Sequence, residues 1–295
     1  MHKFMRAIGF SEYTDRKKLK ELIRKCVTAS DEREYTLNDE GIMMGEFCKF
    51  FAQDIGIGVC GEFDEEDKFT YEYYYPFLRG NGVTTYEDVS VERHAAKESY
   101  AGSCDDLKVG ITLIFYLQNM IPYIKAKYCG QLPMSGTSVT MSALSVSGSI
   151  MMPIKKNEKQ REKERRDSVN RSKLIAAARQ GDEDAIETLT LEDMDIYTTV
   201  SRKIQKEDVF SIVDTFFMPY GVECDHYSVL GEIIAVKRVE NILTKEEIYI
   251  LTICSNELTC DVAINIIDLF GEPQVGRRFK GTIWLQGKIN YPKEY

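Results

Sequence analysis

The sequence predicts an α+β protein in three parts: a mixed α+β domain over 1–152, a charged helix or linker with short helices over 153–221, and a small OB-like β-barrel over 222–295. Three observations carry this reading. Runs rich in β-branched and aromatic residues, bounded by turn residues, fill both ends of the chain. A charged stretch divides them, with seven basic and three acidic residues between Lys155 and Arg166. The last part then reads strand, strand, strand, short helical turn, strand, the rhythm of a small Greek-key barrel.

Taken in order, Thr14 and Asp15 offer a helix cap, and Leu19, Leu22, Ile23 and Cys26 recur on one face behind them. NDEG at 38–41 and DEED at 64–67 are turns in a β meander. Its aromatic strand, KFTYEYYYPFLRG, sets Phe69, Tyr71, Tyr73 and Tyr75 on one face. LKVGITLIFYLQNMIPYIKAKY fits helix and strand equally, and SVTMSALSVSGSIMMPI closes the first domain as a strand. Between Lys155 and Lys173 only Val169 is apolar, so that segment is a solvated helix or a flexible linker. Three short helices are expected over 173–221, with a break at Gly181–Asp182, a capping box at Thr190–Asp193 and a last helix in EDVFSIVDTFFMPYG. Four strand-like runs follow, and the last, GRRFKGTIWLQGKI, is expected to bend or divide in two.

Composition narrows function. With 43% hydrophobic and 29% charged residues the chain is globular, and its net charge of −9 disfavours a general nucleic-acid binder. No secretory leader and no run of 18 apolar residues is found, so the expected setting is cytoplasmic, with no membrane. Eight cysteines without C-x-x-C spacing read as reduced thiols.

Several motifs fail on context. GIGVCG at 56–61 matches G-x-G-x-x-G but lies within a strand-like run, and GEPQVGRR lacks the Lys-Ser/Thr of a phosphate loop. Cys224 and His226 have no second ligand pair, so neither a metal nor a cofactor is expected. Two candidate sites remain. VERHAAKESYAGSCDD at 91–106 holds His94, Cys104 and Asp105, the residue types of a Cys-His nucleophile with an orienting acid. Along 278–289, alternation puts Phe279, Ile283, Leu285 and Ile289 on one face, and Trp284 on the other with Arg278, Lys280 and Lys288. An aromatic among cations suits stacking and anion contact, whereas a covered Trp284 is interdomain packing.

MHKFMRAIGFSEYT, VERHAAKESYAGSCDD, LIAAARQGDEDAIETLTLED and RFKGTIWLQGKINYP together resemble a bacterial family known only as a domain of unknown function. The resemblance implies a bacterial, cytoplasmic protein and brings no activity, cofactor or site residue. The expected function is a non-enzymatic binding or scaffold protein, contacting an unknown protein partner through the barrel face around Trp284. The alternatives are an enzyme using His94, Cys104 and Asp105, and single-stranded nucleic-acid binding by the barrel.

Overall fold

A computed structural model describes residues 2–38, 40–93, 99–106, 111–132, 136–154, 158–204 and 208–292. The chain opens with a 3-10 turn, Lys3–Ile8, whose Met5, Ala7 and Ile8 are fully buried. Asp15 caps helix α1 (Arg16–Thr28) by accepting from the Lys17 N–H at 2.8 Å, and Leu22, Ile23 and Cys26 form its buried face. Strands β1 (Glu32–Leu37), β2 (Met43–Ala52), β3 (Ile55–Phe63) and β4 (Phe69–Leu78) then make an antiparallel meander. Both turns fall where the sequence puts them: Asn38 Oδ1 accepts from the Glu40 and Ile42 N–H groups, and Asp64 Oδ1 from those of Glu66 and Lys68. The single aromatic face expected on β4 breaks. Glu72 is an extra residue between the pairs Gly61–Tyr71 and Cys60–Tyr73, which leaves Tyr71 exposed while Tyr75 and Phe77 are buried.

Strands β5 (Val89–Arg93), β6 (Tyr100–Asp106) and β7 (Ile111–Leu117) form an antiparallel ribbon. The ambiguous run after it divides into β7 and helix α2 (Met120–Tyr128), with Pro122 in the first turn, where its missing N–H costs little. Strand β8 (Ser138–Met151) follows.

Helix α3 (Glu158–Arg179) carries the charged stretch, so that part of it is helix, and α4 (Glu183–Ile204) returns beside it, tied by Arg171 to Asp193 at 2.7 Å. The break at Gly181–Asp182 is present: Gly181 has φ 88°, and Asp182 Oδ1 accepts from the Ala185 N–H. The capping box at Thr190 is not formed. α4 runs straight through it, and Thr190 Oγ1 instead donates to the Ile186 carbonyl. The last helix, α5 (Val209–Ile212), is one turn, and FFMP becomes strand β9 (Phe216–Pro219) on an edge of β10 (His226–Glu240).

Strands β11 (Glu247–Ser255) and β12 (Leu258–Asn265) continue from β10 as a meander. A 3-10 turn, Ile266–Asp268, and the short β13 (Leu269–Phe270) lead to β14 (Arg278–Asn290). β14 does not divide: it is one strand of 13 residues. Strand β8 supplies the remaining stave, pairing parallel with β12 and antiparallel with β14, so the order β8-β12-β11-β10-β14 closes on itself as a five-stranded barrel. Hydrogen-bonded ladders therefore join residues before 152 to residues after 222. Inside the barrel, Phe279, Ile283, Leu285 and Ile289 meet Val229, Ile233, Leu251 and Val262. Gly148 and Gly281 are cross-strand partners, and a Cβ on either would lie within 2.6 Å of the Phe279 ring, so that ring fits because both are glycine.

A second core lies outside the barrel. Ile55, Ile57, Val59 and Phe77 of the meander, with Phe4 and Ile8, close over Leu144, Ile248, Ile250 and Trp284 on the barrel's outer surface. No helix among the described residues is long and apolar enough to cross a membrane.

Candidate functional site

Alternate residues of β14 point out of the barrel, and the strand carries them to three different places. Arg278 is 4% exposed and donates to the carbonyls of Met152, Phe210, Val213 and Asp214 at 2.8–3.2 Å. Lys280 lies over the Phe210 ring, 4.0 Å from its centre. Both cations are thus engaged by the segment around α5. Lys288 is ten positions from Arg278, about 33 Å along a strand, and lines a separate polar cleft beside β1 and β2. Arg278, Lys280, Trp284 and Lys288 do not form one patch.

Trp284 lies between them, 4% exposed, in the second core. Its ring is 5.3 Å from Phe4, 4.7 Å from His2 and 5.1 Å from Tyr116, centre to centre. Its Nε1–H donates to Asp225 Oδ2 at 2.7 Å. His226, the direct cross-strand partner of Trp284, presents Nδ1 to Asp225 Oδ1 at 3.0 Å. Burial alone would raise the Asp225 carboxyl, but the hydrogen bonds from His226 and Trp284 outweigh it and hold it below the ordinary value. An ionised Asp225 favours a proton on Nδ1 of His226 and orients the ring.

These groups line a cavity of about 800 Å³ between the barrel, the N-terminal turn and β4. Phe4, Tyr73, Tyr74, Tyr75, Tyr116 and Trp284 supply aromatic walls, and polar groups come from His2, Lys3, Ser99, Glu223, Asp225 and His226. The Tyr74 hydroxyl accepts from the His2 N–H at 2.9 Å, which holds the start of the chain against the wall. Tyr220 and Val222 stand exposed at the rim, where Gly221 takes φ 79° to make the turn. The arrangement can stack a planar group and hydrogen-bond it through His226.

His94 lies outside the described residues. Cys104 and Asp105 are neighbours on β6 and face opposite ways. Cys104 is buried in the barrel-side core, and burial, reinforced by Asp106, pushes its thiol up to about 12. Asp105 is exposed and accepts from Thr112 Oγ1. The structure does not bring these two side chains together. From the same stretch, buried Ser99 reaches the Trp284 cavity.

Sequence reading missed Asp225, His2, Phe4 and Tyr74. Cys224-Asp-His226 was visible only as half of a zinc site, and nothing local ties His2 or Phe4 to a residue 280 positions away. No curated protein and no solved structure matches the chain. The family described as "Domain of unknown function, E. rectale Gene description (DUF3881)" matches residues 5–287, nearly the whole length, and the chain belongs to that family.

Proposed function

We propose that the protein is a non-enzymatic binding protein whose cavity over Trp284 takes a small planar aromatic ligand. The observation that carries this is the cavity itself: its volume is in the range of small-molecule sites, its walls are aromatic, and one imidazole is oriented by Asp225 at its side. The eight unpaired cysteines fit a reducing, cytoplasmic setting.

The strand order supports reading the barrel as an OB topology whose last strand comes first in the chain. Strands β10, β11, β12, β14 and β8 take the five OB positions, with the parallel pair β12–β8 closing the ring. Strand β10 is long and irregular at Ile233–Ala235, serving β14 with its first half and β11 with its second. OB barrels bind oligonucleotides on the face of their second and third strands. Here Ile248, Ile250 and Ala263 on that face are covered by the second core, which favours a small ligand over a nucleic-acid strand.

Trp284 is the only tryptophan, so its emission reports the cavity directly. Titration with a panel of planar heterocycles, neutral and cationic, is expected to change that emission saturably. His226→Ala is expected to weaken the same ligand roughly tenfold, the worth of one hydrogen bond. Saturable, salt-sensitive quenching by a single-stranded oligonucleotide, with no response to any heterocycle, would replace this reading with nucleic-acid binding.

A further inference from the structure

Helices α3 and α4 take no part in either core: no described residue of 158–204 belongs to them. Among the described residues of this hairpin, Ala185 is the one buried apolar side chain, and Leu174, Ile175 and Leu189 are half-buried. Ile186, Met194 and Tyr197 of α4 instead stand 47%, 62% and 76% exposed. Each helix has 22 residues, which makes it about 33 Å long. Helices in proteins are held mainly by packing an apolar face, and this pair buries little of one.

The exposed apolar residues are ordered. Glu192 and Asp193 both reach Arg171, at 3.6 and 2.7 Å, and so mark the side of α4 that faces α3. At about 100° per residue, Ile186, Met194 and Tyr197 fall within about 80° of one another, in a stripe centred roughly a quarter turn from that side. Leu191, also exposed, falls outside the stripe. A helix with two contact faces a quarter turn apart suits the corner of a four-helix bundle, where it has two neighbours.

Charge selects the missing neighbours. Helix α3 carries eight basic and four acidic residues, and α4 two basic and six acidic, so the pair is +4 beside −4. The contrast is sharpest near their turn. There 169–179 holds Arg171, Lys173 and Arg179 with no acid, and 183–193 holds five acids with no base. Two hairpins related by a two-fold axis along their length set each α4 between its own α3 and the partner's α3. Every adjacent pair of helices then joins opposite charges, and the same surface serves both copies. A partner of one charge would suit one helix and repel the other. With helix axes about 10 Å apart, each hairpin presents a face of about 650 Å², or about 1,300 Å² for the pair, which reaches the size of specific interfaces.

We infer that the α3–α4 hairpin is a dimerisation arm, on which a second copy of this chain docks to complete a four-helix bundle with Ile186, Met194 and Tyr197 buried between the copies. The arm uses no residue of the Trp284 cavity, and its role is independent of what that cavity binds.

The test is analytical ultracentrifugation of the full chain at micromolar concentration. The expected result is a species of twice the chain mass whose dissociation constant rises with salt. Met194→Glu and Tyr197→Glu are each expected to weaken the dimer at least tenfold. Leu191→Glu adds the same charge to the same helix outside the stripe and is expected to leave the dimer unchanged. Far-ultraviolet circular dichroism of the three variants is expected to match the parent chain. A monomer throughout the micromolar range overturns the inference. So does a dimer that survives both stripe substitutions, or one that Leu191→Glu weakens equally.

Discussion

Glu46 shows what a single side chain sets in this fold. Burial raises its carboxyl to about 7 against the pull of the Tyr75 hydrogen bond. In the unfolded chain the same group ionises near 4.5. Between those values the folded protein keeps a proton that the unfolded chain has lost, so stability falls as pH rises from about 4.5 to 7 and levels off above. The difference corresponds to about 3 kcal/mol. Glu46→Gln keeps the shape and the acceptor for Tyr75 but cannot ionise. Chemical denaturation across this pH range is expected to show the variant gaining on the parent protein as pH rises, by up to about 3 kcal/mol at pH 8. A constant difference between the two would mean that Glu46 titrates normally. The sequence carried one faint sign of this residue, an acid at an apolar-face position in MMGEFCKFF, and none of its partners Tyr75 and Cys60.

At the scale of elements, alternation was legible and pairing was not. Phe279, Ile283, Leu285 and Ile289 occupy the barrel interior as the period of two requires, because pleat geometry is local. Which strand lies beside β14 is a tertiary choice, and nothing in SVTMSALSVSGSIMM announces β14 as its neighbour. Thr190 failed as a cap because the residues before it already form helix, so its hydroxyl serves Ile186. FFMP became strand because β11 leaves the first half of one edge of β10 open, and β9 fills it. Arg278 fixes that segment through the carbonyls of Phe210, Val213 and Asp214, and ties it to Met152 by a fourth bond. Arg278→Ala is therefore expected to cost about 3 kcal/mol and to speed hydrogen exchange over 208–219 while β11 and β12 stay protected. Uniform loss of protection through the barrel would assign Arg278 a role in the barrel itself.

Across the whole molecule, two cores share one wall. Leu144, Ile248, Ile250 and Trp284 face the meander from the same strands whose other side fills the barrel. Loss of either core exposes the other, so the meander and the barrel are expected to unfold together. Far-ultraviolet circular dichroism and Trp284 emission should then trace one coincident thermal transition. Two separated transitions would make 1–152 and 222–295 independent units. The sequence could mark the composition change at 155 because charge is visible residue by residue. It could not show that β8 belongs with strands beyond it, since the hairpin of α3 and α4 parts them in sequence but not in space.

That separation sets a timetable for biosynthesis. Met151 pairs with Arg278, 127 positions later, and Ser138 pairs with Asn290. Strand β8 leaves the ribosome long before either of its neighbours exists, so its two edges stay open until almost the last residue of the barrel is made. A ring whose closing contacts are this distant in sequence folds slowly, and the nascent chain presents an unpaired, apolar strand through much of the second half of its synthesis. The highly charged α3, made directly after β8, supplies like-charge repulsion between neighbouring nascent chains during that interval.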